Sequence, residues 1–408
     1  MKNKIISIFL CAVMLSSMLM GCSDTEPKET AITGAENAME NNMEDEASQK
    51  ARSDNLGSDP MKELLQDPYE DYKEKGGEIA FVLNGVVMDG SYNEDIYEGI
   101  QVYALAAGIS FSAYITDEES TEEYQETIEE AIADHARVII CAGYEFGETV
   151  GYLQKIYPEV AFLLVDGVPI DESGEPVAIA DNVHCISFHE EESGYLAGYI
   201  AVLEGYHRLG FIGGVSEPPI IRYGYGYLQG INDAAADIGA EDVSVNYWYA
   251  ETFEQNSEIC EKASEWYAEG TEIIFACGGD LYESVLEAAD GEDGMMIGVD
   301  VDQSGISDRF LTSAVKGTSN AVIIALDDFY AAGMQWPEEA AGQEIQYGIQ
   351  DNCTGIPVVN TEWRFKNVTM EDFYEIYKKV KSGEISVSNE TDVLPKVSVA
   401  VNFDEAGE

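Results

Sequence analysis

The sequence predicts an α/β protein of two lobes, each a parallel sheet flanked by helices, with a cleft between them. Three observations carry this. From Gly77 onward, short apolar runs alternate with amphipathic stretches of helical period. The runs are continuous rather than alternating, as in strands covered on both faces. They also come in two successive sets of about five, more than one sheet and one core hold comfortably.

The elements follow in chain order. Met1-Lys2-Asn3-Lys4 is a short basic stretch, and Ile5 to Met20 is an apolar run ending in Leu19-Met20-Gly21-Cys22. This is the pattern of a secretory signal peptide over residues 1–21. A small residue before the cysteine resembles a bacterial lipobox, which makes Cys22 the expected lipidation site. The mature chain is then expected on the extracytoplasmic face of the cell membrane, anchored rather than threaded. Residues 22–76 are rich in Glu, Asp, Asn, Ser and Lys and lack apolar periodicity, so they are expected to be a disordered acidic tether, with a short helix around 61–69.

The first set then begins. EIAFVLNG, FSAYITD, ARVIICAG and VAFLLVDG read as strands. SYNEDIYEGIQVYALAAG, TEEYQETIEEAIADH and FGETVGYLQKIYP read as the helices between them. The pattern restarts with the helix EEESGYLAGYIAVLEG, the strand HRLGFIGG and the helix YGYLQGINDAAADIG. VSVNYWYAE, EIIFACGG, MMIGVDVDQ and FLTSAVK follow as strands. Helices are expected at 320–332 and 369–382. The tail must therefore cross back: residues 77–186 with about 316–342 form one lobe, and 187–315 with about 343–408 the other.

Composition bounds the partners. The chain has 78 acidic and 21 basic residues, and removing Lys2 and Lys4 with the leader takes the charge from −57 to −59. So acidic a surface repels nucleic acid and anionic lipid, and a neutral or cationic small molecule is the expected ligand class. Beyond Cys11 and Cys22 there are five cysteines, Cys141, Cys185, Cys260, Cys277 and Cys353, with no C-x-x-C pair. Cys141 and Cys277 close apolar runs and read as buried and unpaired. A disulfide among the others cannot be deduced.

In parallel α/β sheets, ligands bind outside the carboxyl ends of the strands. Those ends carry Asp89-Gly90-Ser91-Tyr92-Asn93, Gly143 to Phe146, Asp166-Gly167, Gly213-Gly214 with Arg222-Tyr223 downstream, Gly278-Gly279-Asp280, Asp300 and Lys316. Asp300 and Lys316 end successive strands, so a carboxylate and an ammonium reach one crevice. They suit vicinal hydroxyls, one accepting and one donating; a salt bridge that merely closes the strand ends fits the sequence equally well. Tyr92 and Tyr223, one per lobe, are placed to clamp a flat ring. Several weaker signals are set aside. Gly224 to Gly230 has the wrong spacing for a dinucleotide loop, Asp300-Val301-Asp302 lacks further metal ligands, and His184 and His189 read as solvated or capping residues. No nucleophile motif accompanies Asp89 and Asp166, so no enzyme, no cofactor and no metal are expected.

Taken together, these motifs resemble one family, the basic membrane protein (BMP) substrate-binding lipoproteins of ABC transporters, which include purine-nucleoside receptors. Asp89-Gly90-Ser91-Tyr92-Asn93 is similar to its D-x-S-F-N, and Asn182-Val183, Phe188 and Glu192 to Gly198 are similar to N-V…F…E-x-x-Y-L-A-G. Gly210 to Gly214, with Arg222-Tyr223 and Gly226-Tyr227…Gly230, resemble G-F-x-G-G…R-F-x-x-G-F-x-x-G. Gly298 to Gln303 and Thr312 to Lys316 resemble G-x-D-x-D-Q and T-S-x-x-K. The resemblance implies a type I periplasmic-binding-protein fold and a monomer working with permease and ATPase subunits. It implies a nucleoside between the lobes, Tyr92 and Tyr223 stacking on its base, and Asp300 and Lys316 on its ribose. Asn93, Asp89 and Asp166 would address the base or the cleft wall, and Gly278-Gly279 would offer backbone near the sugar. The departures are tyrosine for phenylalanine at both stacking positions and Gly90 where a lysine is common. They leave riboflavin, a sugar or another ring-bearing ligand, or a sensory role, as alternatives.

Overall fold

The computed structural model describes residues 76–116, 118–359 and 361–404. The expected signal peptide, Cys22 and almost all of the tether lie outside the described residues. Two sheets form. The first contains β1 (Ile79–Asn84), β2 (Phe111–Thr116), β3 (Val138–Ala142), β4 (Ala161–Val165), β5 (Val183–Phe188) and β11 (Gln343–Tyr347), in the order β11-β5-β4-β3-β1-β2. The second contains β6 (Arg208–Gly213), β7 (Ser244–Tyr249), β8 (Ile273–Cys277), β9 (Met295–Asp300) and β10 (Phe310–Lys316). Its edges are completed by β12 (Thr354–Gly355) and β13 (Ala400–Phe403), in the order β12-β10-β9-β8-β6-β7-β13. All pairings are parallel except β10 with β12. Each lobe thus repeats one topology, with its first strand between its second and third. The strand order reverses at β1/β3 and at β6/β8, where an open sheet leaves a crevice.

Helices cover both faces. α1 (Tyr92–Ala107), α2 (Thr121–Ala133) and α3 (Gly147–Ile156) flank the first sheet. α4 (Glu190–Glu204), α5 (Pro218–Ile238), α6 (Ser257–Ala268) and α7 (Leu281–Glu292) flank the second. α8 (Thr318–Ala331) returns to the first lobe, where Asp95 on α1 accepts hydrogen bonds from Thr318 Oγ1 at 2.5 Å and from Ser319 N at 2.8 Å. α9 (Met370–Lys381) starts with a capping box, Thr369 with Asp372, and packs Phe373, Ile376 and Val380 into the second core. The strand interiors are buried on both sides, as continuous apolar runs require: Phe81 and Ile140 face one core of the first sheet, Val82 and Ile139 the other.

Two expectations need correction. Residues 343–347, assigned from the sequence to the second lobe, pair with β5 along its whole length. QEIQY is polar and was no strand by hydrophobicity; an edge strand with an exposed face needs only backbone partners. Arg222 and Tyr223 lie inside α5 rather than in a loop before it, because Pro218 and Pro219 start the helix early.

The chain crosses between lobes three times, at Phe188–Glu190, Lys316–Thr318 and Tyr347–Thr354, and the crossings are laced together. Glu192 Oε2 accepts from Ile349 N at 2.7 Å and Thr354 Oγ1 at 2.6 Å. Ser193 Oγ donates to Val315 O and accepts from Gly355 N, both at 2.7 Å.

α4 and α5 lie closer together than side chains ordinarily permit. Gly194 and Gly198 on α4, and Gly226 and Gly230 on α5, each stand four residues apart and face the opposite backbone. A methyl group at Gly226 would strike Glu191 O, and one at Gly230 would strike Tyr195 O. The glycine-rich run that looks like a distorted dinucleotide loop is therefore a helix-packing surface. Overpacking costs about 1–3 kcal/mol or more, so Gly230→Ala should lower the melting temperature by several degrees in a thermal melt. Gly291→Ala on α7, where the added methyl meets nothing within 4 Å, should be neutral or stabilising by up to about 1 kcal/mol.

Candidate functional site

The loops after β1, β4, β9 and β10 meet at the seam between the lobes. Asp166 follows β4 with φ 59° and Asp300 ends β9 with φ 62°. Aspartate tolerates this left-handed region better than most residues. The turn aims each carboxylate off the end of its sheet rather than back along it. Lys316 ends β10 and is 4% exposed.

Five of the residues expected from the sequence, Asp166, Asp300, Lys316, Tyr92 and Tyr223, are drawn into one cluster at the seam. Lys316 Nζ donates to Asp166 Oδ2 at 2.6 Å, across the lobes, and lies 3.7 Å from Asp300 Oδ1. Tyr223 OH donates to Asp300 Oδ1 at 3.1 Å, and Ser91 Oγ, from the first lobe, donates to Asp300 Oδ2 at 3.2 Å. The ammonium also lies 4.8 Å from the Tyr92 ring centroid, 5.5 Å from that of Phe188 and 6.0 Å from that of Tyr223. Tyr92 OH donates to Val165 O at 3.3 Å. Both tyrosine hydroxyls thus have partners within the protein, so the rings can present their faces without a polar ligand at the rim.

The other expected residues have structural duties. Asp89 accepts from the backbone N–H groups of Ser91, Asn93 and Glu94 and so holds the start of α1. Asn93 Nδ2 donates to Asn84 O and Val86 O and closes the β1–α1 loop. Gly278 (φ 122°) and Gly279 (φ 53°) are overlain by Phe253: a methyl on either would come within 3 Å of its atoms. Of His184 and His189, the first is buried against Trp336 and near Gln343 O, not solvated. His189 precedes α4 and lies 2.7 Å from Glu191. Asp302 caps a 3₁₀ turn by accepting from Ser304 N. Cys141, Cys185, Cys260, Cys277 and Cys353 are all free. Among the described residues no cluster of His, Cys, Asp and Glu has the makings of a metal site.

Two charged residues join the cluster unannounced. Glu190, fully buried, accepts from Arg222 Nε at 2.5 Å with one oxygen. Its other oxygen, Oε1, lies 3.7 Å from Lys316 Nζ and has no hydrogen-bond partner. In the sequence Glu190 opens a run of three glutamates at a helix start, which reads as a solvated, dipole-favoured turn. The signal that distinguishes it is position: it comes two residues after the end of β5, on the first crossing.

Burial sets the electrostatics. It pushes the Glu190 carboxyl up to about 7, although Arg222 and Lys316 pull against it. Asp300 is also raised by burial, with Lys316 opposing and Asp166 adding. Burial alone would lower Lys316, but Asp166, Asp300 and Glu190 outweigh it and hold the ammonium above its ordinary value. Near the cleft, Glu145 is pushed to about 7 by burial and by Glu119 and other carboxylates. Asp89 is pushed to about 6 by burial, against its three backbone donors.

Comparison with known proteins converges on one family. A family model described as "ABC transporter substrate-binding protein PnrA-like" matches residues 77–391. Basic membrane protein B of Borreliella burgdorferi is 24% identical over 298 residues, covering 69% of this chain and 81% of the relative. Among solved structures, an ABC transporter solute-binding protein from Aeropyrum pernix K1 superposes with a TM-score of 0.62 at 20% identity, covering 77% of this chain and 94% of that one. A transcriptional activator of the comK gene from Bacillus halodurans superposes at 0.58 and 18% identity, covering 78% and 100%. Both likenesses establish the two-lobed periplasmic-binding-protein fold, and the second shows that the fold also serves proteins with other tasks.

The buried carboxylates give stability a definite pH dependence. Glu190, Glu145 and Asp89 hold their protons in the folded state at pH values where the unfolded chain has released them. Their contribution is therefore largest near the ordinary carboxylate range and is lost as pH rises through about 6–7. Self-repulsion of the −57 chain acts in the same direction. Thermal melts should show a melting temperature several degrees higher at pH 5 than at pH 7.5. An increase between pH 5 and 7.5 would contradict the raised carboxylates.

Proposed function

The chain belongs to the PnrA-like family of ABC transporter substrate-binding proteins, a class that binds small ligands and catalyses no reaction, and from that premise we propose that it captures a nucleoside between its lobes and delivers it to a membrane permease. A purine nucleoside is the first candidate. The observation that carries the reading is the buried seam cluster, with Asp166, Ser91 and Tyr92 from the first lobe and Asp300 and Tyr223 from the second meeting around Lys316, at the last crossing but one. A ribose offers vicinal hydroxyls, and an aspartate and a lysine side by side supply one acceptor and one donor for them. Hydrogen bonds to charged groups contribute about 1.5–3 kcal/mol each. The two tyrosine rings supply faces for the base, at about 1–3 kcal/mol for a stacked base.

Capture needs the lobes to part, because the same groups already touch one another across the seam. Parting turns on the three crossings. A ligand that contacts both lobes favours the shut arrangement by its difference in affinity for the two. On this reading the lipid on Cys22 holds the protein at the extracytoplasmic face, and residues 22–76 give it reach. ATPase and permease subunits complete the importer.

Calorimetric titration tests the ligand. Protein lacking residues 1–22 is unfolded and refolded to remove carried-over ligand, then titrated with adenosine, guanosine, inosine, cytidine, ribose and riboflavin. One-to-one binding of a purine nucleoside is expected, weakened at least 10-fold in Asp300→Ala, in line with the loss of a charged hydrogen bond. Binding of riboflavin or ribose alone would keep the family and overturn the nucleoside.

A further inference from the structure

The seam is short of hydrogen-bond donors: two buried carboxylate oxygens, Asp166 Oδ1 and Glu190 Oε1, have none. Three carboxylates, Asp166, Asp300 and Glu190, face two cations, Lys316 and Arg222, and the five side chains are 0–12% exposed. Both oxygens of Asp300 are engaged, by Tyr223 OH and Ser91 Oγ, while Asp166 has Oδ2 on Lys316 and Oδ1 without a hydrogen bond. Glu190 has one oxygen on Arg222 and the other, Oε1, without any hydrogen bond. A buried acceptor left unmatched is costly, and more so when it is charged. Lys316 does not supply the missing bond, since at 3.7 Å its ammonium lies beyond hydrogen-bond reach of Oε1. Arg222 meets the carboxylate through Nε on Oε2 and leaves Oε1 unbonded. The orphan oxygen faces the ammonium that the Tyr92, Phe188 and Tyr223 rings surround, so it belongs to the ligand's side of the cluster.

We propose that Glu190 is a ligand-binding residue: Oε1 accepts a hydrogen bond from a sugar hydroxyl of the bound molecule, while Arg222 fixes the carboxylate from behind. The inference rests on the nucleoside reading and sharpens it. With Glu190 in place, its free oxygen joins Asp300 and the ammonium at the sugar, and with all three carboxylates ionised the cluster carries one excess negative charge. It therefore selects an uncharged, hydroxyl-rich ligand and repels the same ligand once it bears a phosphate.

The test is a cycle of one substitution against single-hydroxyl deletions in the ligand. Wild type and Glu190→Gln are titrated with the parent purine nucleoside, with its 2′-, 3′- and 5′-deoxy forms, and with its 5′-monophosphate. Wild type should bind the parent. Glu190→Gln should weaken the parent by about 10- to 100-fold, as loss of a hydrogen bond to a charged acceptor does. For one deoxy form the two proteins should then bind alike. The monophosphate should bind wild type far more weakly than the parent. Equal penalties across the parent and all three deoxy forms would show that Glu190 acts only through Arg222, and would overturn the inference while leaving the nucleoside reading intact. Failure of wild type to bind any nucleoside would overturn both. If Glu190→Gln does not fold, Glu190→Asp goes through the same set: it keeps the charge beside Arg222 but draws the acceptor back, and it should single out the same hydroxyl.

Discussion

Lys316 ends β10 where the chain leaves the second lobe, and its charge has to be compensated in a place that water does not reach. An unpaired ammonium there would be prohibitive, and removing one partner of a buried ion pair typically costs several kcal/mol. The rest of the seam follows from this. Asp166 comes to Lys316 from the first lobe and Asp300 from the adjacent strand, and Glu190 stands at the neighbouring crossing. The surplus of acceptors then calls for donors, met in part by Tyr223, Ser91 and Arg222. A site that draws its order from one buried cation is stiff in its charge pattern and selective about what enters.

The architecture was legible because parallel strands covered on both faces are written as unbroken apolar runs. VIICA and AFLLV have no polar alternation to confuse the reading, and both are fully buried. What escaped were the edge strands. QEIQY joins the first sheet as an edge strand with two exposed residues, and Ala400–Phe403 does the same on the second. QEIQY has no hydrophobic signature, since an edge needs only free N–H and C=O groups beside it, whereas Ala400–Phe403 closes a short apolar alternation, Val397, Val399, Val401 and Phe403, that packs in part on the second core.

The site was half legible. Asp300, Lys316, Asp166 and the two tyrosines could be named because strand ends in this topology converge. Asp89 and Asn93 sit in the expected place, yet both Asp89 oxygens and the Asn93 amide nitrogen are occupied by main chain. A capping aspartate and a ligand-binding aspartate have the same letter and the same position. Glu190 was hidden for the opposite reason. Charge at a helix start is ordinary, and only the fold shows that this one is sealed in.

Asp166 and Asp300 share one feature from opposite lobes: each lies in the left-handed backbone region at a strand end. Most side chains are strained there, while asparagine, like aspartate, is accommodated. The alphabet open to these positions is therefore narrow, but it contains two letters of nearly equal shape and unequal charge. A descendant of this chain can exchange one for the other without relaying its backbone, and so move the seam from anionic toward neutral in single steps. The turn that fixes where the carboxylates point also defines a short mutational path along which the receptor's chemical taste can drift while its scaffold stands still.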